Sequence, residues 1–115
     1  NFMKVVIHWL ILTLAVLAVP YFIDGIDITG GIGVAIIVGA VLAFINLIVK
    51  PVITLLTLPI NILTLGFFSL VVNAVLFYFV GQVVDGFDID SIMTAFWGAL
   101  IISIINWFAN KVIRD

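Results

Sequence analysis

Residues 46–66 read NLIVKPVITLLTLPINILTLG. The stretch is apolar enough for a membrane span, yet it holds Lys50 and two prolines, Pro51 and Pro59. A bilayer drives backbone into helix because no water is present to satisfy free N–H and C=O groups. Proline works against that, since it lacks the N–H and crowds the carbonyl four residues back. The 13 residues 51–63 would cover only about 20 Å as helix, against roughly 30 Å of hydrocarbon. The segment therefore reads as one that stays on the side of the membrane where it began.

Within it, Thr54, Thr57, Asn61 and Thr64 follow at spacings of three, four and three, tracing one helical face. Pro51 suits the first turn of a helix, whereas Pro59 leaves the Leu55 carbonyl without its donor. Neighbouring Thr hydroxyls are the groups at hand to satisfy such a break, and Gly66 closes the segment. A shallow re-entrant segment, an interfacial helix and a kinked extension of the third span all fit. Interfacial helices are usually rich in Lys and Arg, and Lys50 stands alone, which favours the re-entrant form.

Working outward, 66% of the 115 residues are hydrophobic and 9% are charged, with a mean hydropathy of +1.51. A soluble domain carries about a quarter charged residues, so no water-facing surface can be built. The reading is an all-α integral membrane protein, a single domain over residues 1–115. Four apolar runs, near 3–23, 31–49, 64–84 and 91–110, are long enough to span. The first begins like a secretory signal but is longer, and it lacks an A-x-A site before Tyr21, so it reads as a retained span.

The basic residues Lys4, Lys50, Lys111 and Arg114 all fall on one side of this zigzag. Asp24, Asp27, Asp85, Asp88 and Asp90 fall in the two loops on the other. The positive-inside rule then puts both termini in the cytoplasm of a bacterial inner membrane. Trp9 and Trp107 read as anchors at the inner interface and Tyr21 as one at the outer. The acidic loops read as turn chemistry, Asp-Gly being a tight-turn pair; DGFDIDS lacks the ligand series of a calcium loop.

Those loops also repeat. DGIDI (24–28) and DGFDI (85–89) agree at four of five positions, 61 residues apart. At an offset of 60, the small-residue stripe Gly31, Ala35, Gly39, Ala43 is matched by Ser91, Ala95, Ala99, Ser103, and Asn46 by Asn106. Pro20 and Gly81 correspond before the loops. The pattern reads as two duplicated helical hairpins, about 3–50 and 64–115, joined by the broken segment 51–63. Both copies share one orientation, and sites in such proteins often lie where copies meet. Small residues let helix backbones approach closely where lipid offers no hydrophobic drive, so the second and fourth spans should make the tight contacts.

Chemistry is limited by inventory. There is one His, His8, and neither Cys nor Glu, so a metal-ligand set or a nucleophile triad is not available. We expect no enzyme, no cofactor and no nucleic-acid partner, and His8 reads as a helix-contact residue. Polar groups inside the spans are few: Asn46, Asn73, Gln82 and Asn106, with Asn61 in the broken segment. Such amides act as interhelical glue worth about 0.6–2 kcal/mol each. Alternatively, with Thr54, Thr57 and Thr64 they line a hydrated path. No ionisable residue sits deep in a span, which argues against a proton pump or a voltage sensor.

Residues 46–74 resemble the signature of the four-span phage holin superfamily IV, in its mycobacterial-type branch. The match rests on Asn46, Lys50-Pro51, Leu58-Pro59, Thr64-Leu65-Gly66 and Asn73-Ala74. The resemblance implies four spans and holin-like behaviour, meaning oligomers that open the inner membrane. The leading expectation is thus a homo-oligomeric protein that forms or regulates a permeability path in the lipid bilayer. A non-conducting accessory protein that organises other membrane proteins under envelope stress is the alternative, and a small-solute or lipid transporter comes third.

Overall fold

Residues 2–64 and 66–114 are described by a computed structural model; Asn1, Leu65, Asp115 and the side chains of Ile113 and Arg114 lie outside the described set. Leu65 of the Thr64-Leu65-Gly66 run and the Arg114 charge of the basic side thus fall outside the described residues. Helix α1 covers Phe2–Phe22, strand β1 Ile26–Ile28 and helix α2 Gly31–Phe44. A π-helical turn, Ile45–Val49, leads into α3, Lys50–Leu56, followed by α4, Leu58–Leu63. Helix α5 covers Phe67–Val83, β2 Phe87–Ile89 and α6 Ile92–Arg114.

Among the described residues, three helical stretches are long and apolar enough to cross a membrane: Phe2–Phe22, the continuous run Gly31–Leu56, and Ile92–Val112. A shorter apolar helix, Phe67–Val83, has 17 residues and is about 25 Å long, near the lower limit for a span.

The segment 51–63 is not one element. Its first half continues the second span, and the chain breaks at Thr57 instead of Pro51. The π turn explains why Pro51 is tolerated. Lys50 N–H bonds back to Ile45 C=O, five residues away, and such a widened turn absorbs a missing donor. Pro59 then opens the new short helix α4, where its lost N–H is not needed. The Thr hydroxyls do bond backbone, but Thr57 Oγ1 donates to Ile53 C=O at 2.8 Å and Thr64 Oγ1 to Ile60 C=O at 2.9 Å, not to Leu55.

At the far end from this segment the two Asp-Gly loops pair with each other. Strands β1 and β2 run antiparallel, with Ile26 opposite Ile89, Asp27 opposite Asp88 and Ile28 opposite Phe87. Thr29 N–H donates to Gly86 C=O at 2.8 Å, and Asp90 N–H to Gly25 C=O at 2.9 Å. Gly25 and Gly86 turn with φ of 101° and 89°, a region that a side chain resists. Alternation sends Ile26, Phe87 and Ile89 inward, all buried, and leaves Asp27 and Asp88 exposed. Like charges directly opposite on paired strands are unfavourable by about 0.2–1 kcal/mol. Asp88→Asn should therefore raise the melting temperature slightly at low salt, and 1 M salt should erase the gain. Equal melting at both salt concentrations would count against the repulsion.

Helix α1 packs on α2 and α5 on α6, while α1 against α6 joins the two hairpins and α2 meets α5 less closely. The second and fourth spans, expected to pack on each other, instead turn chiefly to their own hairpin partners. The core is densest beneath the ribbon, where Val16, Val19, Ala35, Val38, Val80 and Ala95 are fully buried. Of the small-residue stripes, Ala35, Gly39, Ala43, Ala95 and Ala99 are buried and Ser103 partly so. Two members belong elsewhere. Gly31 is exposed with open space beside it, and Ser91 Oγ accepts from Thr94 N–H at 3.1 Å at the start of α6. Trp9 also departs from the anchor reading, since its indole N–H donates to Ile36 C=O of α2 at 3.0 Å.

Candidate functional site

Below the dense core, the four long helices part around a half-open cleft of about 250 Å³. Asn46, Asn73 and Asn106 all line it, joined by Lys50, Ser103, Trp107 and Asn110. Its deeper wall is apolar, formed by Leu12, Leu42, Phe77, Ala99 and Ile102. The helical period places each set. On α6, Ala99, Ile102, Ser103, Asn106, Trp107 and Asn110 recur at steps of three, one, three, one and three, one face of the helix. Asn46 and Lys50 stand four apart across the π turn, as Asn106 and Asn110 do on α6.

The amides differ in what they hold. Asn46 Nδ2 lies 3.3 Å from His8 Nε2, tying the π turn to α1. Asn73 Nδ2 donates to Ser103 Oγ at 3.4 Å, tying α5 to α6. Among the described residues, none gives a hydrogen bond to the buried Asn106 Oδ1. A buried unmet acceptor costs about 1–3 kcal/mol, so this atom calls for a donor from outside the chain's own side chains.

A smaller cavity of about 50 Å³ adjoins through Lys50 and Asn73, and Thr54, Thr57, Asn61 and Ser69 line it. Ser69 Oγ donates to Asn61 Oδ1 at 3.1 Å, fastening α4 to α5. Thr64, the fourth member of that stripe, stays exposed and instead accepts from Phe68 N–H at 3.3 Å. Asp24, Asp27, Asp85, Asp88 and Asp90 sit at the opposite end of the molecule; among the described residues no group of three or more His, Cys, Asp or Glu could hold a metal ion.

Asn110 and Trp107 were not legible as site residues from type alone. One signal was available: Asn110 follows Asn106 by four residues, as Lys50 follows Asn46. Lys111 Nζ lies 5.2 Å from the Trp107 ring centroid, within cation–π range, which holds the indole at the cleft's mouth.

An almost entirely helical chain with apolar spans and one amide-lined cleft defines a small polytopic membrane protein. The chain belongs to the mycobacterial four-transmembrane-segment phage holin family of superfamily IV, whose pattern matches residues 3–108. It is 38% identical over 104 residues to an uncharacterized protein of Streptomyces coelicolor, covering 83% of each chain. It is 34% identical over 107 residues to the uncharacterized membrane protein YvlD of Bacillus subtilis, covering 92% of this chain and 89% of that one. No solved structure matches it. Family and relatives point to a small membrane protein.

Proposed function

We propose that this is a holin-like protein that forms or regulates a membrane permeability path, with the amide-lined cleft as its vestibule on the cytoplasmic side. The cleft carries the reading. A wall of amides with a lysine occupies one half of the bundle, and Phe77, Phe87, Ile26 and Ile89 fill the other. A single chain so arranged is plugged at its ribbon end. Conduction then requires the plug to move, or several copies to share a path, so a homo-oligomer is part of the proposal. The distribution of basic residues supports a cytoplasmic side for Lys50 and both termini, and α4 is read as the shallow returning element.

We also propose that the two hairpins are copies. Helices α1 and α5 end at Phe22 and Val83, the strands begin at Ile26 and Phe87, and the ribbon's flanking hydrogen bonds interchange, all at an offset of 61. Buried positions in α2 recur in α6 at 60, as with Ala35 and Ala95 or Gly39 and Ala99. The extra residue of the first copy falls at Gly30-Gly31. Asn46 with Asn106, and Lys50 with Asn110, are then equivalent pairs facing one cleft.

The test is leakage from liposomes loaded with small ions and, separately, with a folded protein. Ion release alone marks a narrow channel, and escape of the folded protein marks a holin-type lesion. Silence at a confirmed protein-to-lipid ratio moves the function to the non-conducting accessory role. Asn106→Leu should lower the leak several-fold with unchanged helicity and equal or greater stability, because it removes the unmet acceptor. A leak that survives it would take the vestibule out of the path. Transport of a solute or lipid is the second reading, favoured by a cleft that is sealed at one end beside a broken helix; saturable flux is its mark.

A further inference from the structure

We infer that the cleft binds the headgroup of an anionic glycerophospholipid, a phosphodiester carrying free hydroxyls, from the leaflet that faces Lys50. This rests on the proposal that the cleft is a working site open to that leaflet, and it names what enters. Three observations lead to it.

The first is depth. Lys50 lies 19 residues after Gly31, about 29 Å along the helix, which is where roughly 30 Å of hydrocarbon ends. Asn110, 18 residues after Ile92, comes to about 27 Å by the same rise. The polar mouth therefore sits at the level of lipid phosphates.

The second is the gradient along the wall. Along the second span, from α2 through the π turn to α3, the lining residues run Leu42, Ile45, Asn46, Lys50, and on α6 they run Ala99, Ile102, Ser103, Asn106, Asn110. Helix α5 descends the other way with Asn73, Leu76, Phe77. All three helices turn from apolar in the depth to polar at the mouth. That matches the polarity of a lipid's glycerol region and headgroup better than that of a hydrated ion.

The third is donor and acceptor balance. Lys50 is half-buried and supplies the positive charge, which disfavours a metal cation and suits a phosphate oxygen. Asn106 Oδ1 is an acceptor with no donor among the described residues. A bare phosphodiester cannot satisfy it, whereas a headgroup hydroxyl can. The volume, about 250 Å³, would hold about eight waters at roughly 30 Å³ each, or a phosphate with a short polyol.

Native mass spectrometry of the purified protein in mild detergent tests this, with phosphatidylglycerol, phosphatidic acid and phosphatidylcholine titrated separately. Phosphatidylglycerol should bind about tenfold tighter than phosphatidylcholine, whose phosphodiester is the same but whose choline cation is repelled by Lys50 and offers no hydroxyl to Asn106 Oδ1. Lys50→Met should remove most of that preference, leaving the part due to the hydroxyls, and Lys50→Arg should keep it. Lys4→Met removes the same charge from an exposed site on the same side and should leave the preference intact. Asn106→Leu should narrow the gap between phosphatidylglycerol and phosphatidic acid, which lacks the hydroxyls. Equal losses in Lys4→Met and Lys50→Met, or no preference in the unaltered protein, would overturn the inference. Displacement of the lipid by millimolar glycerol phosphate or inorganic phosphate would overturn its lipid half and assign the cleft to soluble phosphate. Lipid preference without leakage would sink the permeability reading alone, and leakage without preference would sink this one alone.

Discussion

Phe87→Ala should cost about 3–5 kcal/mol of stability, the range for truncating a buried Phe, and should raise ion leakage. Phe87 is 1% exposed and meets Phe77 of α5 edge-to-face, with ring centroids 5.6 Å apart and planes at 62°. It lies on the ribbon outside the apolar spans, where burial still removes surface from water, so the transfer contribution applies in full. The same ring stands in the apolar packing above the cleft, the proposed plug. Thermal melting and liposome leakage on one preparation separate the two roles. A large loss of stability with an unchanged leak would leave Phe87 as packing only.

Gly39→Leu should destabilise the first hairpin by about 1–3 kcal/mol, the usual cost of overpacking. A Cβ at Gly39 would crowd Thr13 Oγ1 and lie 3.1 Å from both Thr13 Cα and N. Two of these are backbone atoms that no rotamer change can move, so α1 and α2 must separate. Separation would weaken the His8–Asn46 and Trp9–Ile36 contacts as well, since both cross the same interface. Gly33→Leu is the matched control on the same helix, with no atom within 4 Å of its Cβ. Unfolding in sodium dodecyl sulfate, followed by circular dichroism, should show a lowered midpoint for Gly39→Leu alone. Equal shifts for both variants would mean that leucine itself, and not the close approach, is at fault.

The prolines show how far local rules reach. Proline at a first helical turn is a local preference, and Pro51 and Pro59 both sit in the first turn of a short helix. The break itself fell elsewhere, at Thr57, because a π turn at Ile45–Val49 let the second span run through Pro51. No local propensity in INLIV marks that widened turn; it is a way of absorbing proline that the neighbouring backbone supplies. The amides show the same division. That Asn46, Asn73 and Asn106 need partners follows from residue type and medium. Which one lacks a partner depends on whether a Ser103 or a His8 happens to stand opposite.

What the sequence determined by itself was therefore the medium and the local grammar. With 9% charged residues, the chain is driven into lipid and hence into helix, and the run at 46–74 marked the family whose pattern matches residues 3–108. Those properties are sums over residues or short-range spacings, and no contact is needed to read them. The pairing of Asp27 with Asp88, the approach of Thr13 to Gly39 and the meeting of four helices around one cleft were decided by the tertiary structure alone. Each joins residues from separate helices or loops. Packing in lipid is governed by shape and hydrogen bonding more than by hydrophobicity, so apolar composition could not say which faces would meet.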